Sequence, residues 1–541
     1  MPGSAATRGT QVAISGGGPV GLATAIELGR RGVHCVVIEP RVTVSHARPR
    51  CKTVNIRTME HLRRWGIAER LRERAPLSVD FSRDVVFCTS LTGWELSRFT
   101  GALSLERGDR AAEIGQQAPQ YVLEELLRDV AAELETVTLR YGWSVTDVGQ
   151  DEAEVRVSVR DERSGTHENL AADYAVGCDG GRSAVREAIG AKYVGEQALR
   201  PNFGMLFRAP ELLARTAHGP AVQYWTVNVH APSFMGPIDL AGTWFIGAVG
   251  VDRETGERDG AAIIDGAAGY AVGAKILSTD PWTARMQLVD RARVGRVFLA
   301  GDAAHLNPPF GGHGLNTGIG DAVDLGWKLA AVSEGWGGPR LLDSYEPERR
   351  PIQSRVIAAA AANNRVLASD LLADNLDAPG ELGDRARAAA DARIQAEKHA
   401  EFHALSLVLD LAYEGSPIIA AAGSVRQPAD DDDPITEVRP GARLPHVWLG
   451  PDHSIYDELG EDLTLLALDG CASSELEVVA RAAEARHVPL RIAHRPEPGL
   501  QERYGCCLAL VRPDQHVAWC GDRVPQDVPG LIDLVRGAGS A

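Results

Sequence analysis

Residues 12–40, VAISGGGPVGLATAIELGRRGVHCVVIEP, confine a short apolar strand, a glycine turn, a helix and a second apolar strand to one stretch of chain. Gly16, Gly18 and Gly21 fall in the GxGxxG spacing, and the helix opens at Pro19. In that spacing the first glycine makes the tight turn and the second lets the backbone approach a pyrophosphate. The third lets helix and strand pack closely, and the helix N-terminus adds partial positive charge. Glu39 follows Gly21 at close to the spacing of about 20 residues expected of an acid that holds ribose hydroxyls. An acid there favours NAD or FAD over a cofactor with a 2′-phosphate, and leaves the choice between those two open.

A chain of 541 residues exceeds the roughly 250–300 that one hydrophobic core serves, so two or three packed units are expected. A net charge of −17 argues against a nucleic-acid partner, which would need a basic face to replace phosphate counterions. No apolar run reaches the roughly 18 residues of a membrane span, and MPGSAATRGT lacks the regions of a signal peptide. The expected location is therefore cytoplasmic, without a membrane partner. Eight cysteines with no CxxC suit buried thiols rather than a disulfide framework, and no metal site is visible.

After the opening unit come an arginine-rich loop, SHARPRCK, and one helical pattern, TVNIRTMEHLRRWGIAERLRERA. The amphipathic PQYVLEELLRDVAAEL leads into strands EVRVSVRD and NLAADYAVGCDG. From about 200 to 285 aromatic-containing strands dominate, NFGMLFRAP, AVQYWTVNV and TWFIGAVGV, and read as an inserted sheet. The chain then returns to α/β character with GRVFLAGD, NPPFGGHG and the helix LNTGIGDAVDLGWKLAAV. One further helix is expected from near Ser344 and a long one from about Asp384 to Ala412. QPADDDDP reads as a linker, because like charges repel and proline resists helix. Beyond it, alternating strands and helices suggest a small α/β sandwich.

Two later segments decide between the dinucleotides. GCDGGRSAVR (177–186) and LAGDAAHLNPPFGGHGLNTGIGDAVDLGWKLA (299–330) resemble the second and third fingerprints of the flavin-dependent aromatic hydroxylases, the family of p-hydroxybenzoate hydroxylase and phenol hydroxylase. RPRCKTVNIRTMEHLRRWGI and YVLEELL look like members that hydroxylate chlorophenols and polyketide phenols. The resemblance implies an α/β and α+β architecture: a Rossmann-like FAD-binding domain (1–190 and 285–375), an inserted, mainly antiparallel substrate sheet (191–284 with about 80–104) and a helical segment (376–423). A linker (424–434) and a thioredoxin-like domain (435–541), probed by GARLPHVWL and LVRPDQHVAW, complete it.

The implied reaction uses FAD, NAD(P)H and O₂ to hydroxylate a small aromatic substrate by way of a flavin hydroperoxide. Asp302 ends a buried strand, where its carboxylate can accept from ribityl hydroxyls. Residues Pro308 to Gly314, including Pro309 and Gly312, form a tight loop whose N–H groups, with the helix start at Leu315 and Asn316, can stabilise charge on the reduced isoalloxazine. Arg50, Gln120 and Asp179 match cofactor-contacting positions of the family, and Arg186 shares the second fingerprint. Pro309 would also sit beside the substrate. Tyr224, Phe234, Met235 and Trp244 are candidates for an apolar aromatic pocket. Tyr224, Asp239 and His313 compete for the role of ionising a phenol, while His305 reads as a packed structural histidine. Gly320 and Asp324 depart from the family's Gln and Asn and leave details of the flavin loop open. Epoxidation, Baeyer–Villiger insertion and a catalytically silent flavin-binding interaction protein are the alternatives; a homo-oligomer is expected.

Overall fold

The computed structural model describes residues 10–48, 52–105, 108–420 and 437–539; Arg50 and the linker at 424–434 lie outside them. The strands VAIS and CVVIE are apolar without alternation because both faces of their sheet are covered. Thr10–Ser15 runs parallel to Cys35–Glu39 on one side and to His167–Gly177 on the other, flanked outward by Val137–Tyr141 and Val297–Leu299. The order of strands thus reverses at Thr10–Ser15, and the crevice beyond its carboxyl end is where an open α/β sheet takes its ligand. Trp143–Gln150 and Val155–Asp161 extend the sheet as antiparallel strands.

A second, eight-stranded sheet is antiparallel except where Gln223–Thr226 runs alongside Val85–Cys88. Its register separates side chains that are adjacent in sequence. Tyr224 pairs with Met235 and Met235 with Ile246, while Trp225 pairs with Phe234 and Phe234 with Gly247. Because successive side chains on a strand point to opposite faces, the first set and the second lie on different sides. Tyr224, Met235 and Trp244 are buried with Ile263 and Ile264 of the helix Arg253–Ala268. Trp225 and Phe234 instead meet Phe310 of the glycine loop.

Two helical expectations need correction. The pattern from Thr53 to Ala75 divides into Ile56–Arg64 and Ala68–Arg74, since Gly66 takes a left-handed φ of 75° between them. The long helix spans Gly380–Phe402 and ends ten residues short of Ala412, with a separate short turn at Leu405–Leu409.

Beyond residue 436 a four-stranded sheet runs in the order Leu490–Arg495, Leu463–Leu468, Leu508–Val511, Val517–Gly521, with the first pair parallel. Its helices Ser473–Glu484 and Val528–Val535 share a core with Trp327, Ala331, Trp336 and Leu341 of the first unit. A buried charge cluster also joins the two. Arg512 donates to Glu348 (2.7 Å), Asp324 (3.0 Å) and Asp514 (2.7 Å), and Lys328 donates to Asp324 (2.8 Å) and Glu348 (2.5 Å). Burial pushes the Asp324 carboxyl up. Burial also opposes the ionised form of Glu348, but Arg512 and Lys328 override it and hold that carboxylate low.

Candidate active site

Four local devices shape the crevice at the end of Thr10–Ser15. Gly16 has φ 101°, and a Cβ there would lie 2.4 Å from the Cys178 carbonyl oxygen. A Cβ on Gly21 would lie 1.9 Å from the Gly16 carbonyl oxygen, so only hydrogen allows the helix Pro19–Gly29 to sit this close. A Cβ on Gly18, the residue capping that helix, would meet nothing within 4 Å: the backbone there faces open space. The Glu39 carboxylate closes the turn by accepting from the Gly17 N–H (2.8 Å) and the Arg41 Nε (2.7 Å).

Across the crevice, Asp179 accepts with Oδ2 from the N–H groups of Ala184 (2.9 Å) and Val185 (3.3 Å). Its Oδ1 is buried without a partner among the described residues, and burial pushes this carboxyl up. Arg186 donates to the Gly181 carbonyl (3.0 Å) and lies 4.3 Å from the centre of the Tyr193 ring, so it braces the second fingerprint's own turn. Gln120 begins the helix Gln120–Ala132.

Asp302 is exposed on a turn just beyond Val297–Leu299, and its carbonyl accepts from the Tyr193 hydroxyl. Asp321 fixes that turn from beneath. It accepts from the Gly301 N–H (3.1 Å), His305 Nε2 (2.8 Å) and Arg349 Nε (2.8 Å). Burial would raise Asp321, but Arg349 and His305 hold it at about 2. Gly320 has a steric reason: a Cβ there would come 2.8 Å from an Arg349 guanidinium nitrogen.

The loop after Pro309 turns on Gly311 (φ 81°) and Gly312 (φ 69°), a left-handed pair that side chains disfavour, and delivers the helix His313–Ser333. Pro309 itself is exposed. Gly314 and Leu315 lie in the first turn of that helix, whose N–H groups have no partners of the helix's own. The Asn316 side chain is engaged elsewhere. It donates to the carbonyls of Thr53 (3.0 Å) and Gly312 (2.6 Å) and accepts from the Asn55 N–H (3.0 Å) and the Thr58 hydroxyl (2.8 Å). The segment 53–58 is thereby tied to the glycine loop, leaving Asn316 only its backbone for a ligand.

Three sequence expectations for substrate chemistry change. Tyr224 is fully buried, donates to the Gly219 carbonyl (2.5 Å) and accepts from the Ala221 N–H (2.9 Å); burial pushes its phenol up to about 12. It belongs to the far core of the sheet, as do Met235 and Trp244. His313 lines a cavity against the terminal unit with His61, Arg349 and His516, and burial lowers it to about 4, so it is neutral at physiological pH. Asp239 turns its Oδ1 onto the Thr243 N–H (2.9 Å). Phe234 alone of the four pocket candidates faces the loop, with its ring 5.6 Å from Phe310; Trp225 joins them at 6.0 Å. Strand alternation between Tyr224 and Trp225 was the available signal, but which face met the loop depended on tertiary packing.

A family model described as "FAD binding domain" matches residues 9–360, and one described as "Aromatic-ring hydroxylase, C-terminal" matches residues 437–537. The chain belongs to the FAD-dependent aromatic-ring hydroxylases. It is 32% identical to an FAD-dependent monooxygenase, opdD, of Penicillium oxalicum over 89% of this chain and 98% of that one. It is 32% identical to a 4-methyl-5-nitrocatechol 5-monooxygenase of a Burkholderia species over 97% and 96%. The rebeccamycin biosynthetic enzyme RebC with reduced flavin superposes with a TM-score of 0.88 at 34% identity, covering 98% of this chain and 99% of that one. This hydroxylase is thus an FAD-dependent monooxygenase of aromatic compounds that draws on NAD(P)H and O₂. Its crevice fits FAD: open space over Gly18 meets a pyrophosphate's need for close backbone approach, and the Glu39 carboxylate stands beside it for ribose hydroxyls. Among the described residues no helix is long and apolar enough to cross a membrane and no group of metal-ligating side chains occurs.

Proposed function

We propose that this hydroxylase adds oxygen to the ring of a phenol bound between the flavin and the aromatic face of Phe234 and Phe310, which the buried Trp225 backs. The observation that carries the reading is the junction itself. Phe310, on the loop that the glycine pair shapes, meets the aromatic face of the substrate sheet, so cofactor loop and ring-binding surface are one structure. Gly16, Gly18, Pro19, Gly21 and Glu39 would hold the adenosine diphosphate half of FAD, with Asp179 and Asp302 along the ribityl chain. Pro309, Gly312, Gly314, Leu315 and the Asn316 N–H would surround the isoalloxazine; Gln120 and Arg50 complete the proposed set. When bound, the flavin supplies hydride acceptance from NAD(P)H and activation of O₂.

The chain's own residues do the rest. Loop and helix N–H groups favour negative charge on the pyrimidine edge. The Phe234 and Phe310 rings orient the substrate and, with Trp225 behind them, exclude water. A cytoplasmic, homo-oligomeric enzyme without nucleic-acid or membrane partners remains our reading of the rest. The mixed four-stranded sheet with the helices Ser473–Glu484 and Val528–Val535 supports a thioredoxin-like terminal unit.

Incubation with NADH or NADPH, labelled O₂ and a panel of phenols tests the reaction. The expected result is phenol-stimulated NAD(P)H oxidation and one labelled hydroxyl on the product ring. Oxidation with no oxygen in any product, or label in an ester or epoxide, would sink it. Asp302→Ala should weaken FAD binding roughly 10- to 100-fold, the loss of a charge-assisted hydrogen bond of about 1.5–3 kcal/mol. Unchanged flavin content by absorbance would remove Asp302 from the site.

A further inference from the structure

Lys52 is an amine with which no carboxylate among the described residues forms an ion pair. It precedes Thr53, whose carbonyl Asn316 ties to the glycine loop and whose Cβ would lie 3.1 Å from a Cβ on Gly312. The side chain crosses from that loop to the substrate sheet. There Nζ donates to the carbonyls of Val222 (2.6 Å) and Pro237 (3.1 Å) and lies 5.0 Å from the centre of the Phe245 ring. Phe245 pairs with Gly236 in the register that puts Trp225 and Phe234 on the same face. Lys52 is partly accessible as a residue, while Nζ at its end is buried between the loop and the sheet.

We propose that Lys52 is the base that takes the proton from the substrate's phenolic hydroxyl and then holds the resulting oxyanion. This rests on the phenol reading above. The stoichiometry of donors and acceptors argues for it. A neutral amine has two N–H groups, which Val222 and Pro237 occupy, and one lone pair left over; an ammonium has a third N–H in the same direction. In the step the substrate O–H breaks, an N–H forms on Nζ, and the electron pair stays on oxygen, where it enriches the ring carbons ortho and para to it. No other reactant is needed.

Burial lowers the Lys52 ammonium to about 7, so both protonation states are available near neutral pH. The nearby charges are occupied otherwise. Asp239 bonds the Thr243 N–H, Asp280 pairs with Arg48 (3.1 Å), and His313 is neutral. Among the described residues no carboxylate forms an ion pair with Lys52. Neither Tyr224 nor His313 lies on the aromatic face: the first is on the other side of the sheet and the second lines the cavity against the terminal unit.

The test uses FAD-loaded wild type, Lys52→Met and Lys52→Arg with two probes whose phenolates are coloured, 4-nitrophenol and 1-hydroxyanthraquinone. Titrated by difference spectrum, the wild type should bind at least one as phenolate, with the phenolate-to-phenol ratio at least tenfold above that of the free probe at the same pH. Lys52→Met, with unchanged FAD content, should lose that tenfold; Lys52→Arg should regain it as a fixed cation. A Lys52→Met enzyme that still binds phenolate in the wild-type ratio overturns the proposal, as does a wild type that binds the probes un-ionised. If neither probe binds the wild type, the phenol reading itself falls, and this inference with it.

Thermal melts give a second readout. The amine's folded value is below the unfolded 10.5, so its contribution to stability is greatest above pH 10.5 and is lost as pH falls toward 7. The Tm of Lys52→Met minus that of the wild type should therefore rise from pH 10.5 to 7 and level off below. A difference that is flat across this range would mean a solvated amine and would equally overturn the proposal.

Discussion

Arg512→Met should lower the free energy of unfolding by about 3–5 kcal/mol, the usual cost of removing one partner from a buried ionic cluster. Arg512 is the only terminal-unit cation in the cluster described above, and it is fully buried against Asp324, Glu348 and Asp514. Without it, Asp324 and Glu348 keep Lys328 as their cation while Asp514 is left with His516, and burial, the first influence on Glu348, is no longer offset by its main opposing charge. The damage should reach the active site. Glu348 and Arg349 are neighbours on the helix Tyr345–Asn363, and Arg349 holds Asp321, which in turn holds the Gly301 N–H beside Asp302. Chemical denaturation followed by both tryptophan and flavin fluorescence should show a lower midpoint in each signal. A wild-type denaturation curve would show that the cluster contributes little and that the apolar contacts of Trp327 and Trp336 suffice.

Gly21→Ala should yield a protein nearly free of FAD and lower in melting temperature. Its Cβ would stand 1.9 Å from the Gly16 carbonyl oxygen, a backbone atom that a rotamer change cannot move away. Helix and strand must separate, an overpacking cost of about 1–3 kcal/mol or more, and the turn that receives the pyrophosphate opens with them. Gly18→Ala separates fold from binding. Its Cβ meets open space at an ordinary φ of −78°, so the melting temperature of the apoprotein should stay near wild type while flavin content falls. Wild-type FAD retention by Gly21→Ala, measured as the ratio of flavin to protein absorbance, or a wild-type melting temperature for it, would refute the steric account.

The glycine turn was legible because its requirements are local. Gly16, Gly18, Gly21 and Glu39 lie within one strand-helix-strand unit, and spacing alone brings them together. The flavin loop was legible for a similar reason, as two adjacent glycines in left-handed conformations have few substitutes. Gly320 and Asp324 looked anomalous only while their partners, distant in the chain, were out of view. Arg349 fills the space over Gly320, and Arg512, some 188 residues from Asp324 along the chain, supplies the latter's partner.

The substrate face was the least legible part. Alternation on Gln223–Thr226 shows that Tyr224 and Trp225 point opposite ways, yet nothing local says which of them faces the flavin loop. Lys52 drew no attention in a loop rich in arginine, since its depth and its two carbonyl partners come from strands about 170 and 185 residues away. By itself the sequence determined the backbone turns that cradle a dinucleotide, because glycine sterics and strand-helix spacing act over a few residues, and its later fingerprints carried the resemblance that implied the cofactor and the family. Only the tertiary structure decided which aromatic face meets the glycine loop, which charges are buried in pairs and which amine forms no ion pair among the described residues, because burial and electrostatic pairing are set by residues that the chain brings together from far apart.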